Sequence, residues 1–185
     1  MQPNASTALP WSWEQKVADF QKPGDKVLFL QPFTAQTLAE LPEAEYDLVL
    51  NPGAACSPED FRAIHRALKP DGFFLSQQPG GEDCRRLANF LLPGSRPATQ
   101  ENLETFTPAL QAAGFRVMFK DQAYPVEVFR SVREVEVFVK THPEAFPGVT
   151  DAVFNSRREA LEALLQQNGA IPNERHVFLL IGKKR

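Results

Sequence analysis

The chain has 185 residues, of which 43% are hydrophobic and 23% charged, with a formal net charge of −3. A chain of this size and composition is expected to form one globular domain over residues 1–185, with residues 1–10 as a loose arm. A mildly acidic balance argues against nucleic-acid binding, and no apolar run approaches the ~20 residues of a membrane span or forms a signal-like core.

Short apolar runs typical of buried strands alternate with helical patterns along the chain. The predicted helices involve Trp11–Phe20, Thr34–Leu41, Phe61–Leu68, Cys84–Leu91, Leu103–Ala113, a segment opened by Ser131–Glu134, and Arg157–Gln167. The predicted strands are Lys26–Gln31, Tyr46–Asn51, Gly72–Gln77, Phe115–Lys120 with Val126–Phe129 as a short extension, and His176–Gly182. This alternation predicts an α/β sheet that is parallel in its first strands.

Two local signals mark helix starts. Ser57 precedes Pro58-Glu59-Asp60, so its hydroxyl is expected to cap free backbone amides. Ser131 and Glu134 have the spacing of a capping box.

The cysteines and histidines offer little reactive chemistry. Cys56 and Cys84 lack metal-ligand spacing, which favours a reduced cytoplasmic protein without a metal cofactor. Cys56 lies between a strand end and a helix start, where a thiolate can be stabilised, but an inert buried thiol is the favoured interpretation. The three histidines (His65, His142 and His176) have no evident catalytic partner and are interpreted as structural.

The segment from Tyr46 to Gln77 carries a family resemblance. A strand ending in Asp-Leu-Val-Leu-Asn51, the helix Phe61–Leu68, the turn Lys69–Gly72 and a following strand occur in order. This succession resembles the middle of the class I S-adenosylmethionine-dependent methyltransferases. Trp11–Glu14, Gln77–Glu82 and His142–Gly148 are similar to a narrower group of bacterial methyltransferase-like proteins, which extends the resemblance over almost the whole chain.

The resemblance implies a reduced Rossmann-like sheet with S-adenosylmethionine as its cofactor. In the family, a glycine-rich loop after the first strand admits the cofactor, and an acidic residue ending the second strand holds its ribose. Here Gln31–Gln36 follows the first strand and contains no glycine. Only about 15 residues separate this strand from the next, which is too short for the family's second and third strands. Their loss would leave the strand order 1-4-5-7-6 in the family's numbering.

Such a deletion would place Lys26–Gln31 at the edge of the sheet. An apolar edge strand is a template for pairing with another chain, so a homodimer through this strand is the favoured hypothesis. The alternative is that the N-terminal arm or the Trp11–Phe20 helix covers the edge.

The candidate ligand-binding residues follow strands at the carboxyl edge of the sheet, where open α/β sheets bind ligands. They are Asn51, Gly53, Gln77, Gln78, Gly80, Gly81 and Glu82. Asn51-Pro52-Gly53 is partly similar to a motif of amino-group methyltransferases but lacks its aromatic residue, and a simple turn is favoured. The loop from Gln77 to Glu82 is equally well interpreted as a polar pocket or as a glycine-rich turn.

Three functions remain open from the sequence. The first is a methyltransferase with an unconventional or partner-completed site, since methyl transfer depends mainly on positioning. The second is a non-catalytic binding or regulatory subunit that uses the methyltransferase fold. The third is a protein that binds another small molecule at the strand ends. The missing cofactor loop favours a degenerate cofactor site with weak or absent activity.

Overall fold

The computed structural model describes residues 8–30, 34–54, 56–96 and 102–185. Its helices are α1 Trp13–Phe20, α2 Ala35–Ala39, α3 Asp60–Ala67, α4 Arg85–Leu91, α5 Leu103–Ala112, α6 Val132–Thr141, α7 Asp151–Ser156 and α8 Arg158–Asn168. Its strands are β1 Val27–Phe29, β2 Tyr46–Asn51, β3 Leu68–Pro79, β4 Phe115–Ala123, β5 Val126–Phe129, β6 Ile171–Glu174 and β7 Val177–Lys184.

The chain forms two compact units. The described residues of the sheet unit lie within Pro10–Gly80, Glu101–Gln122 and Val177–Arg185, and those of the helical unit within Met1–Leu9, Gly81–Gln100 and Ala123–His176. The expectation that the chain behaves as one domain stays a prediction.

The sheet unit is built on a five-stranded sheet with the order β1-β2-β3-β7-β4. β1 and β3 both pair with β2 in parallel, and β7 pairs antiparallel with β3. This is the order 1-4-5-7-6 of the family's numbering, so the predicted strand order is confirmed. β2 has the predicted bounds, and its last four residues are buried as expected for a strand covered on both faces.

Aromatic packing fills the core of the sheet unit. Phe61, Ile64 and Ala67 form the buried face of α3, as their helical spacing predicts. The Phe61 ring lies 5.3 Å from that of Phe106 on α5 and 6.0 Å from that of Phe74 on β3. Burial of these side chains contributes roughly 1.5–3 kcal/mol each.

Two local predictions in the sheet unit are corrected. Ser57 donates its hydroxyl to a carboxylate oxygen of Asp60 and does not cap α3, because the carboxylate accepts both this hydroxyl and the Ser57 amide. Lys69–Gly72, predicted as a turn before the strand, lies inside β3 as an irregularity where the register with β2 shifts. Asp71 adopts a φ of 65° there, which supplies the local change of direction.

The first predicted strand is shorter than Lys26–Gln31 and is not covered on both faces. β1 contains three residues, and the Phe29 side chain is 62% exposed, because β1 is the terminal strand of the sheet. Gln31 and the next two residues of the predicted glycine-free loop, Pro32 and Phe33, lie outside the described residues.

Helices α4, α6, α7 and α8 form the helical unit together with a two-stranded antiparallel sheet of β5 and β6. Val126–Phe129 is therefore a strand of a separate sheet and not an extension of β4. The buried cluster of this unit includes Leu87, Val135, Phe146 and Leu161. Ser131 caps α6 by accepting from the Glu134 amide, as predicted, although the Glu134 carboxylate accepts from the Arg130 amide.

Candidate functional site

Asn51 is the last residue of β2, and Ser76 lies beside it on the neighbouring parallel strand β3. They are register partners of β2 and β3, and both are fully buried. The Asn51 side-chain amide donates to Ser76 Oγ at 3.1 Å and to the carbonyl of Ala54 at 2.8 Å. The Ala54 amide donates back to Asn51 Oδ1 at 3.1 Å. Asn51 thus closes its own turn through Pro52 and Gly53 and uses both ends of its side-chain amide.

Gln78 extends this set of hydrogen bonds. Its side-chain amide donates to Ser76 Oγ at 3.0 Å, and its carbonyl accepts from the Cys56 backbone amide at 2.9 Å. Gln78 is 2% exposed. We call Asn51, Ser76, Gln78 and the backbone groups of Ala54 and Cys56 the strand-end network.

Gln77 points away from this network, because successive side chains of a strand alternate between faces. Its side-chain carbonyl accepts from the Trp11 indole at 2.7 Å, and Trp11 is 8% exposed. This bond holds Trp11 against β3. The next residue, Ser12, caps α1 by accepting from the Gln15 amide, so the Trp11-Ser-Trp13 segment has a structural role.

The remaining predicted residues are placed differently. Gly53 is exposed in the Asn51 turn, and Gly80 is buried. Gly81 and Glu82 belong to the helical unit, where Glu82 is exposed and paired with Arg85. The structure therefore joins Asn51 and Gln78 into one network, while a ligand-binding role for each of the seven residues stays a prediction.

Sequence reasoning missed Ser76, which holds the strand-end network together. Its hydroxyl oxygen accepts from both Asn51 and Gln78. The signal was its spacing of two residues from Gln78, which places both side chains on one face of β3.

The strand-end network does not fit S-adenosylmethionine as it stands. Asn51 and Gln78 already use their side-chain donors and acceptors within the protein. A cofactor bound by these amides would have to break buried hydrogen bonds, each of which contributes about 1 kcal/mol net. The network also contains no acid or base that could move a proton.

A buried ion pair organises the helical unit next to Glu82. Arg175 contacts Asp83 through two hydrogen bonds of 2.8 and 3.2 Å, and the His176 amide donates to the same carboxylate at 2.8 Å. Burial acts to lower the pKa of Arg175, but hydrogen bonding and the charge of Asp83 outweigh it, so the pKa is raised. This pair joins the start of α4 to the end of β6.

An open cleft of about 330 Å³ lies on the surface of the helical unit. Two salt bridges, Glu82–Arg85 and Arg86–Glu174, contribute to its lining, together with Asn89 and Tyr124. All four charged side chains are 40% exposed or more, as expected of solvated surface pairs.

The three histidines pack against aromatic rings. His65 meets Phe115 edge-to-face at 5.0 Å, and His142 and His176 stack on Phe138 and Tyr124. Burial lowers the pKa of His65, and the positive charge of Lys184 lowers it further. These contacts support the structural interpretation of the histidines.

Both thiols are buried and held neutral. Burial, with a smaller effect of the Asp60 carboxylate, raises the pKa of Cys56. Burial and the charge of Asp83 raise the pKa of Cys84 to about 12. The inert-thiol interpretation of Cys56 is supported.

The thiols should consequently be unreactive in the native protein, since the thiolate is the nucleophile. We expect Ellman's reagent at neutral pH to label neither cysteine over a time in which both react in guanidinium chloride. Rapid native labelling of Cys56, identified by peptide mapping, would contradict the burial described here.

Within the described ranges, no group of three or more His, Cys, Asp or Glu side chains is placed to hold a metal ion. The same part of the chain contains no helix long and apolar enough to cross a membrane.

Comparison with known proteins bears on the fold. No protein-family model matches the chain, and no curated protein matches it in sequence. A candidate methyltransferase from Bacillus halodurans superposes with a TM-score of 0.52 at 12% identity, over 80% of this chain and 68% of that protein. The chain has a class I methyltransferase-like fold.

Other solved structures extend the comparison. A functionally unknown protein from Deinococcus radiodurans superposes with a TM-score of 0.56 at 11% identity, over 93% of this chain and 85% of that one. A phosphoethanolamine N-methyltransferase of Haemonchus contortus, in complex with S-adenosylhomocysteine, gives a TM-score of only 0.40 at 17% identity. The match covers 78% of this chain and 35% of the Haemonchus enzyme.

Proposed function

We propose that this chain is a methyltransferase-like protein with a degenerate cofactor site and weak or absent methyltransferase activity. The observation that carries the proposal is the strand-end network: Ser76 accepts from Asn51 and Gln78, and these two amides also bond to the backbone of Ala54 and Cys56. Side chains at this edge of an α/β sheet would ordinarily face a ligand. Here they close the edge with internal hydrogen bonds.

The energetic balance favours the closed arrangement. Opening the network would leave Asn51 and Gln78 with unpaired polar groups in positions that are 0% and 2% exposed. Each unsatisfied buried group costs about 1–3 kcal/mol, which would be subtracted from the binding energy of any cofactor. Hydrogen-bonded polar groups also rigidify the site, which opposes rearrangement on binding.

The proposed role that follows is a binding or regulatory one rather than catalysis. The fold supplies a stable scaffold, and function on a fold resides in the particular site it carries. Because the strand-end side chains are bonded internally, the chain would bind other molecules through its outer surface.

The test is turnover of labelled S-adenosylmethionine by the purified full chain, with Gln78→Ala as the matched variant. We expect no formation of S-adenosylhomocysteine above the buffer blank. Turnover that persists equally in Gln78→Ala and stays with the chain through a further purification step would overturn the proposal, because catalysis need not use a side chain that is bonded internally. Turnover by the wild type that is lost in a folded Gln78→Ala variant would overturn it.

A further inference from the structure

The two edges of the five-stranded sheet differ in chemistry. β1 and β4 are its terminal strands. β4 presents two exposed cations on one face, Arg116 and Lys120, a device that discourages edge pairing. β1 consists of Val27-Leu28-Phe29 and carries no charge, and its Phe29 side chain is 62% exposed.

The backbone of β1 has an unpaired side among the described strands. The Lys26 carbonyl accepts from the Leu48 amide at 3.3 Å, and the Leu30 amide donates to the Leu50 carbonyl at 2.8 Å. Because backbone groups of a strand alternate in direction, those of Leu28 also face β2. The N–H and C=O groups of Val27 and Phe29 therefore point away from β2.

Helix α1 packs on a face of the sheet and not along this edge. The Phe20 ring lies 5.0 Å from the Phe73 ring on β3, and Lys16 Nζ lies 4.0 Å from the centre of the Phe119 ring on β4. These contacts engage strands at the middle and at the opposite end of the sheet. The Trp11–Phe20 helix, which the sequence offered as one of two possible covers for the β1 edge, therefore lies over β3 and β4 instead.

We propose that two copies of this chain pair antiparallel through β1 about a two-fold axis. With Leu28 opposite the partner's Leu28, Val27 lies opposite the partner's Phe29. Val27 and the partner's Phe29 can then exchange both backbone hydrogen bonds, and the symmetry repeats the exchange on the other side. A second copy of the chain fits this edge, because the two-fold rotation brings the outward N–H groups of one β1 opposite the outward C=O groups of the other.

The side chains support the same register. Phe29 and Val27 lie on one face of the strand, so each exposed Phe29 ring would cover the partner's Val27. Leu28 lies on the other face, where it packs against the buried core of the sheet unit. Its approach to the partner's Leu28 would join the two cores through a directly opposed pair.

Light scattering of the purified chain at micromolar concentration tests the pairing. The expected mass is twice 20.7 kDa. Phe29→Lys should raise the dissociation constant at least ~10-fold, because it removes the apolar contact and places an ammonium group against the partner's Val27. Met118→Lys is the matched control, since Met118 is 42% exposed on β4, and it should leave the dimer intact.

Val27→Pro is a second variant. It removes the N–H that would bond to the partner's Phe29 but no hydrogen bond to β2, so it should also give a monomer. Circular dichroism confirms that each variant is folded. A monomeric wild type would overturn the proposal, as would a dimer that Met118→Lys breaks and folded Phe29→Lys preserves. No cofactor enters this experiment, so its outcome is independent of the proposed loss of methyltransferase activity.

Discussion

Asp83→Asn is expected to lower the stability of the helical unit by about 2–4 kcal/mol. Asp83 is 4% exposed, and its carboxylate accepts from the Arg175 guanidinium and from the His176 backbone amide. The amide side chain is isosteric but neutral, so the partly buried Arg175 would keep Glu127, at 3.2 Å, as its one charged partner among the described residues. Removing one member of a buried pair costs more than the pair contributes.

Hydrogen exchange measured by mass spectrometry reports this loss locally. Peptides covering α4 and β6 should lose protection about 30-fold to 1,000-fold in Asp83→Asn. Glu82→Gln is the matched control: Glu82 neighbours Asp83, but its salt bridge to Arg85 is about half exposed and screened by solvent, so its loss should change stability little. Equal effects of the two variants would contradict the assignment of Asp83–Arg175 as the organising pair.

Ser76→Ala should destabilise the sheet unit by about 2–4 kcal/mol, although it removes a single oxygen atom. Ser76 Oγ accepts from the side-chain amides of Asn51 and Gln78, and all three residues are buried. Asn51 retains its bond to the Ala54 carbonyl, but the described bond of the Gln78 amide group is lost.

Tryptophan fluorescence during urea unfolding measures this effect, because both tryptophans lie in the sheet unit. Ser57→Ala is the control, since the Ser57 hydroxyl is half-buried and makes its bond to Asp60, and it should cost about 0.5–1.5 kcal/mol. If Ser76→Ala and Ser57→Ala unfold at the same urea concentration, the strand-end network does not stabilise the sheet unit as described.

The central sheet could be predicted from the sequence because its signals are local and mutually consistent. The apolar run Tyr46–Asn51, the amphipathic helix around Phe61 and the run that ends at Gln77 each predict one element. Their order along the chain, together with the family resemblance, then determines which strands are neighbours. The edge position of β1 followed from the same reasoning.

The helical unit was less predictable because its key contacts are distant in sequence. β6 contains Pro172 and the polar residues Asn173 and Glu174, which argues against a strand; only pairing with β5 makes it one. Arg175 and Asp83 lie 92 residues apart. Helix α7 was missed because its six residues are too few for a periodic pattern.

The position of the candidate site could be predicted from the sequence, but not whether its side-chain amides are free or hydrogen-bonded within the protein. The rule that ligands bind at strand ends led to Asn51 and Gln78, which do lie in one network. Whether their amides are free or bonded depends on the register between β2 and β3, which places Asn51 beside Ser76. A shift of one residue would turn Ser76 to the other face of the sheet and free both amides.

The closed strand-end network is tested most directly by nitrogen-15 NMR spectra recorded during titration with S-adenosylhomocysteine. The signals to follow are the side-chain amides of Asn51 and Gln78 and the backbone amide of Cys56. We predict that these signals stay in place at millimolar ligand, because their hydrogen-bond partners lie within the protein. Saturable shifts of these same signals at micromolar ligand would contradict the account and establish the strand ends as a working cofactor site.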